Sequence, residues 1–220
     1  MTNIFLMRHG KVDGPPALYG RTDVSVVKEH DQQLLTQLLT IQHQFSYVLS
    51  SPLKRCKELA TEFSKASNKP LAVIDSLAEI NFGDYDGVAF DSIPEHWPTL
   101  EQFWQNPSKN QLPNSESLEL FVERLRSSWQ SLLQRYQGED LLIICHGGVI
   151  RMLLSLVLDL DWQNPKLFSA LTVNNGSITK LSKHEHADYC QVTTIGAPIE
   201  STISSTAAST RVALKEVSDD

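Results

Sequence analysis

Asn3-Ile4-Phe5-Leu6-Met7-Arg8-His9-Gly10 is a short apolar run broken without transition by a guanidinium, an imidazole and a glycine. A run this short and this apolar suits a strand buried on both faces of a parallel sheet. The cation and the imidazole then stand at the strand's carboxyl end, and in open α/β sheets ligands bind in the crevice outside those ends. With eight Arg, seven His and ten Gly in 220 residues, Arg-His-Gly arises by chance in about one such chain in a hundred. Its weight depends on whether other segments deliver partners to the same edge.

Several do. Asp140 to Cys145 is the most apolar strand of the chain and ends on His146-Gly147-Gly148 before an amphipathic helix, Val149 to Leu158, so the pattern strand, histidine, glycine occurs twice. Tyr47 to Ser50 reads as another strand. Ser51-Pro52 after it predicts a helix start with a capping hydroxyl and a proline in the first turn, and Arg55 lies in that turn beside free backbone N–H groups suited to anions. Leu71 to Ile74 is a short strand, and Leu77 to Gly87 is too rich in Gly and Asp for regular structure, which puts Glu79 on a loop beyond a strand end. Ser177 to Ser182 and Tyr189 to Thr194 read as two closing strands.

The remaining segments cover this edge and the sheet faces. Asp13 to Val27 is turn-rich and carries Tyr19, Gly20 and Arg21 on a loop that can reach the site. Glu29 to Phe45 shows helical spacing of leucines, and Ser115 is placed to cap a long helix running to Gly138. Residues 88–114 hold Pro94, Pro98, Pro107 and Pro113 with Trp97, Phe103 and Trp104 between them, the pattern of an irregular excursion that forms a lid or wall.

A net charge of −7 argues against nucleic-acid and anionic-membrane partners, which need a basic footprint. Cys56, Cys145 and Cys190 are odd in number and widely spaced, with no metal-ligand pattern, so the expected setting is a reducing compartment, by default the cytoplasm. No leader or membrane-spanning run is recognisable. One domain is expected over residues 1–195. The segment 196–220 is a Ser/Thr-rich tail with eight such residues in 25 and no aromatic; whether it packs on the domain or on a second copy in a homodimer is left open by the sequence.

Leu6-Met7-Arg8-His9-Gly10, Ser51-Pro52-Leu53-Lys54-Arg55-Cys56, the segment Leu77 to Gly87, and Cys145-His146-Gly147-Gly148, in this order, resemble the histidine phosphatase (phosphoglycerate mutase-like) superfamily over residues 3–182. Leu18-Tyr19-Gly20-Arg21-Thr22-Asp23-Val24 is similar to a loop of α-ribazole phosphatases. The resemblance implies a three-layer α/β/α sandwich with a mostly parallel sheet and a phosphomonoester hydrolase working through a phosphohistidine. It implies His9 as nucleophile, Arg8, Arg55 and His146 as holders of phosphate oxygens, and Glu79 as the acid that protonates the leaving alkoxide. Tyr19, Gly20, Arg21 and Gly147 are the further substrate contacts it suggests, on a small phosphorylated metabolite such as α-ribazole phosphate. The chemistry agrees: an imidazole attacks as the free base, which neighbouring arginines favour, and guanidiniums supply paired donors for the transferred oxygens, so neither a metal nor another cofactor is expected.

Rival readings fit the same residues. Superfamily relatives include mutases, although the chain lacks the insertions usual in the glycolytic ones, and an inactive binding or scaffold relative is a third class. Cys145 to Arg151 also fits the C-x5-R spacing of cysteine-dependent phosphatases, a spacing that arises by chance in about one chain in nine and leaves Arg8, His9, Arg55 and Glu79 without roles. Against the family pattern, Val12 stands where a phosphate-holding Ser or Thr is usual, and Asn114-Ser115-Glu116-Ser117 replaces the common Gly-Gly-Glu-Ser.

Overall fold

The opening apolar run becomes β1 (Thr2–Arg8), and the equally apolar β4 (Leu141–Cys145) lies beside it, parallel and in register from Ile4 opposite Leu141 to Arg8 opposite Cys145. In the computed structural model, which describes residues 1–199, these are central strands of a six-stranded sheet. With β2 (Tyr47–Ser50), β3 (Leu71–Val73), β5 (Ile178–Lys183) and β6 (Cys190–Ala197), the order is β3-β2-β4-β1-β5-β6. The pairs β3/β2, β2/β4 and β4/β1 are parallel; β5 runs antiparallel to both β1 and β6.

The two central strands bury alternate residues on opposite faces, which is why helices must cover both. Ile4, Leu6, Ile143 and Cys145 pack with α4 (Leu118–Arg135) and α5 (Gly147–Val157), while Phe5, Met7, Leu142 and Ile144 pack with α1 (Lys28–Thr40) and α2 (Lys54–Ser67). Each such side chain is worth about 1.5–3 kcal/mol when fully buried rather than exposed. The result is the expected three-layer α/β/α sandwich with a mostly parallel sheet.

Helix boundaries depart from the sequence reading where caps are decided by distant groups. Ser51 does not open α2: the helix begins at Lys54 with no side-chain cap from its own chain neighbours, and the Asp23 carboxylate accepts from the Lys54 amide at 2.7 Å. Arg55 still falls in the first turn. α4 is capped by Ser117, whose hydroxyl accepts from the Leu120 amide, whereas Ser115 donates to the Leu112 carbonyl. The first helix stops at Thr40, and a separate 3-10 turn, Gln42–Gln44, carries the chain to buried Phe45.

Residues 88–114 form short 3-10 turns and α3 (Trp97–Gln105) around a small apolar centre of Tyr85, Leu100 and Leu112, with Phe82, Phe103 and Trp104 packed on it. A four-residue α6 (Lys166–Ser169) precedes the turn into β5. β6 continues to Ala197 and Ile199 is buried against the α1/α2 side of the sheet, so the chain is packed through that residue; the rest of the Ser/Thr-rich tail, 200–220, lies outside the described residues. Among the described residues no helix is long and apolar enough to cross a membrane.

Candidate active site

Because β1 and β4 are adjacent, parallel and in register, the residues that follow them leave the sheet side by side. The His9 amide donates to the Cys145 carbonyl at 3.0 Å, and the His9 and His146 rings meet edge-on with centroids 5.2 Å apart.

His9 is buried, and its Nδ1 lies 2.7 Å from the Gly10 carbonyl oxygen. A carbonyl only accepts, so Nδ1 carries the hydrogen and the lone pair is on Nε2. Among the described residues no hydrogen bond engages Nε2. Burial, then the charge of Arg55, and less strongly that of Arg8 press the ring down to about 3 against the opposing Gly10 bond, so it is neutral at any physiological pH. The arginines thus act as the sequence suggested, but desolvation is the larger cause. Asn175, in the turn before β5, donates to both the His9 and Gly10 carbonyls at 3.1 and 3.0 Å, and thereby holds the acceptor that sets the His9 tautomer.

His146 is fully buried and differently used. Its Nδ1 accepts from Arg55 Nε at 3.2 Å, which leaves Nε2 to donate to the Ser51 hydroxyl at 2.7 Å. Burial, then Arg55, His9 and Arg8, drive it well below the ordinary imidazole range. Arg55 is only 1% exposed and donates from Nη1 to the Thr22 carbonyl and from Nη2 to the Tyr19 and Gly20 carbonyls at 2.7–3.0 Å. Neither residue lines the open pocket. In this arrangement each nitrogen of Arg55 and His146 has a protein partner, because the loop 19–22 folds its carbonyls onto the guanidinium.

Glu79 is on the predicted loop, 8% exposed, with Oε2 accepting from the Gly148 amide at 2.9 Å and Oε1 from the Ile80 amide at 3.1 Å. A Cβ at position 148 would fall 2.4 Å from Oε1, so the second glycine of His-Gly-Gly is what admits the carboxylate. Arg8 anchors its Nη1 on the Val173 carbonyl at 2.7 Å.

These groups floor a cavity of about 580 Å3 lined at its polar end by Arg8, His9, Glu79, Gly147, Gly148 and Arg151. Leu18, Ile80, Phe82, Phe103, Trp104 and Phe168 form its apolar wall. The 88–114 excursion thus supplies a wall, as its sequence implied. Of the predicted contacts beyond the core set, Gly147 and Tyr19 line the cavity; Gly20 and Arg21 do not. Gly20 is a packing residue, since a Cβ there would come 2.1 Å from the Ile80 carbonyl oxygen. The Arg21 residue is exposed, and its amide, with those of Gly20, Thr22 and Phe82, donates to the Asp86 carboxylate. Burial alone would raise the Asp86 carboxyl; these amides and the Thr22 hydroxyl outweigh it and bring it below its ordinary value.

The cysteine rival fails on the same geometry. Cys145 is fully buried with its side chain among the α4/α5 core, and burial pushes its thiol far above the range in which a thiolate forms.

A His–Arg–Glu floor at paired strand ends is matched by a family profile: residues 4–195 match that of the histidine phosphatase superfamily (branch 1). The chain belongs to the histidine phosphatase superfamily. Among relatives of this histidine phosphatase is an uncharacterized phosphatase, PhoE, of Bacillus subtilis, 27% identical over 177 residues, spanning 79% of this chain and 85% of that one. In fold it is similar to YhfR of Bacillus stearothermophilus, with a TM-score of 0.79, 22% identity and coverage of 90% and 98% of the two chains. The α-ribazole phosphatase of Shigella flexneri superimposes with a TM-score of 0.73 at 21% identity, covering 89% and 96%. The chain is an enzyme of the phosphatase class within this superfamily.

Among the polar pocket residues, Asn175 and Arg151 carry no site role in the sequence reading. Asn174-Asn175-Gly176 reads only as a turn, and nothing local says that it folds back on His9. Arg151 does carry a signal, four residues after Gly147 on a helix and hence on the same face, although the C-x5-R spacing points it at Cys145 instead.

Proposed function

We propose that this histidine phosphatase hydrolyses phosphomonoesters of small metabolites with an apolar or aromatic body, through a phosphohistidine at His9. The observation that carries this reading is the His9 ring itself, neutral, with Nδ1 committed to the Gly10 carbonyl and Nε2 free at the floor of the cavity. The Nε2 lone pair forms the N–P bond as the P–O bond to the leaving group breaks, and Glu79 delivers its proton to that oxygen. Water then attacks phosphorus, the N–P bond breaks and returns its electron pair to Nε2, and Glu79 takes the proton from the water. Arg8 faces the phosphoryl oxygens. The charge of Arg55 helps keep His9 neutral, the His146 ring packs edge-on against it, and both stand beside Arg8 as further holders of the phosphoryl oxygens.

The wall of Leu18, Phe82, Phe103, Trp104 and Phe168 supports an apolar body. α-Ribazole phosphate, a dimethylated benzimidazole on a phosphorylated ribose, has that character. Three buried, unpaired cysteines and a net charge of −7 fit the reducing cytoplasm and a small-molecule substrate rather than a nucleic acid.

A phosphomonoester screen in chelator tests this reading, with α-ribazole phosphate, p-nitrophenyl phosphate, phosphoserine, phosphoglycerates and nucleotides. Aromatic and apolar esters should give the highest kcat/KM without added metal. Preference for phosphoserine or phosphoglycerates would overturn the substrate class, and no turnover at any pH would overturn the hydrolase. Within the same screen, Glu79→Gln should slow alkyl phosphates by about 100-fold or more and p-nitrophenyl phosphate far less, because nitrophenolate leaves without a proton.

A further inference from the structure

Outside the set His9, Arg8, Arg55, His146 and Glu79, a second guanidinium reaches the floor of the cavity. Arg151 stands one turn into α5, four residues beyond Gly147, and lines the pocket. Its Nε donates to the Leu171 carbonyl at 3.1 Å, while Arg8 Nη1 donates to the Val173 carbonyl two residues on. One strap, residues 171–175, thus anchors both guanidiniums and, through Asn175, the His9 and Gly10 carbonyls.

The two guanidiniums converge over a position that lacks a side chain. A Cβ on Gly147 would fall 2.8 Å from Arg151 Nη1 and 3.3 Å from Arg8 Nε. Arg8 Nε is buried and, among the described residues, has no hydrogen-bond acceptor, an orphan that is costly unless an anion supplies the missing oxygen. Burial presses Arg8 down, Glu79 opposes this, and the like charges of Arg151 and Arg55 add to the lowering; two guanidiniums this close favour an anion between them. Val12, where a phosphate-holding Ser or Thr is usual in the family, carries no hydroxyl.

We propose that Arg151 and Arg8 together grip the transferred phosphoryl group across Gly147, so that Arg151 is a substrate-binding residue of the reaction. This rests on the phosphatase reading, and its test separates the two. Inorganic phosphate is the probe, both as a competitive inhibitor of p-nitrophenyl phosphate hydrolysis and in equilibrium titration of a His9→Ala background, which needs no turnover. Arg151→Ala should weaken phosphate binding by about 10- to 100-fold, the range for a lost charged hydrogen bond, and lower kcat/KM comparably. Arg151→Lys should recover only part, since a point charge lacks the planar fork, and it serves as the reading if the alanine variant does not fold. Phosphate affinity within twofold of the parent in a folded Arg151→Ala or Arg151→Lys protein would overturn the proposal. Loss of turnover with phosphate affinity intact would also count against it, whereas an inactive wild type that still binds phosphate through Arg151 would overturn only the phosphatase reading.

Discussion

The segments β1–His9–Gly10 and β4–His146–Gly147 have the same design: an apolar strand buried on both faces, an imidazole at its carboxyl end, then glycine. They sit in register on neighbouring strands, their rings in contact, and both rings are neutral. What separates them is the identity of their partners. His9 meets one carbonyl and keeps a free nitrogen facing the cavity; His146 lies between a guanidinium and a hydroxyl with both nitrogens engaged. On the proposed reading, the nucleophile is selected by what surrounds each ring, not by the strand-histidine-glycine pattern that delivers it.

Substitution at the two rings gives the largest contrast. His9→Gln should lose turnover by about 10,000-fold or more and form no acid-labile phosphoenzyme, because no nucleophile remains. His146→Gln, which can still accept from Arg55 and donate to Ser51, should be about 10- to 100-fold slower and still trap label from a radioactive substrate. Label on the His9 variant and none on the His146 variant would exchange the two roles.

A smaller effect probes how the tautomer of His9 is held. Asn175→Ala removes both donors from the His9 and Gly10 carbonyls. It should lower kcat/KM by about tenfold, roughly the 1.4 kcal/mol of a lost hydrogen bond, with no comparable change when the residue replaced is an exposed one such as Gln191. Wild-type kinetics in the Asn175 variant would mean that the Gly10 carbonyl needs no clamp.

The mildest effect is on stability. His9 is held to about 3 and His146 well below its usual range, while both titrate near 6.5 when unfolded. Between those values the unfolded chain binds protons that the folded chain refuses. The contribution of the neutral rings is thus intact above about pH 6.5 and shrinks as pH falls towards 3. The urea midpoint should decline from pH 7.5 to 4.5, and less steeply in His9→Gln; equal declines would show that the His9 ring is not held neutral in the fold.

Much of this was legible along the chain. The apolar runs of β1, β2 and β4 and the position of Glu79 beyond a strand end follow from local composition, because a strand with no polar alternation must be covered on both sides. Ser51 and Ser115, which the sequence points to as helix starts and the structure does not use as such, show the limit of that logic. A hydroxyl near a helix start can serve any acceptor or donor within reach: Ser51 is taken by His146, and the start of α2 is served instead by Asp23, 31 residues upstream.

The sequence by itself determined the α/β sandwich, the strand-end location of the site and the residue types that populate it, since these depend on hydrophobic period and on chemistry carried within short motifs. Only the tertiary structure decided how those residues are used. That Arg55 turns to the carbonyls of residues 19–22, that Asn175 crosses from the turn before β5 to set the His9 tautomer, and that Arg151 faces Arg8 over Gly147 are contacts between segments distant in the chain. Hydrogen-bond partners at such separations are fixed by the packing of the sheet and its straps, and no local pattern encodes them.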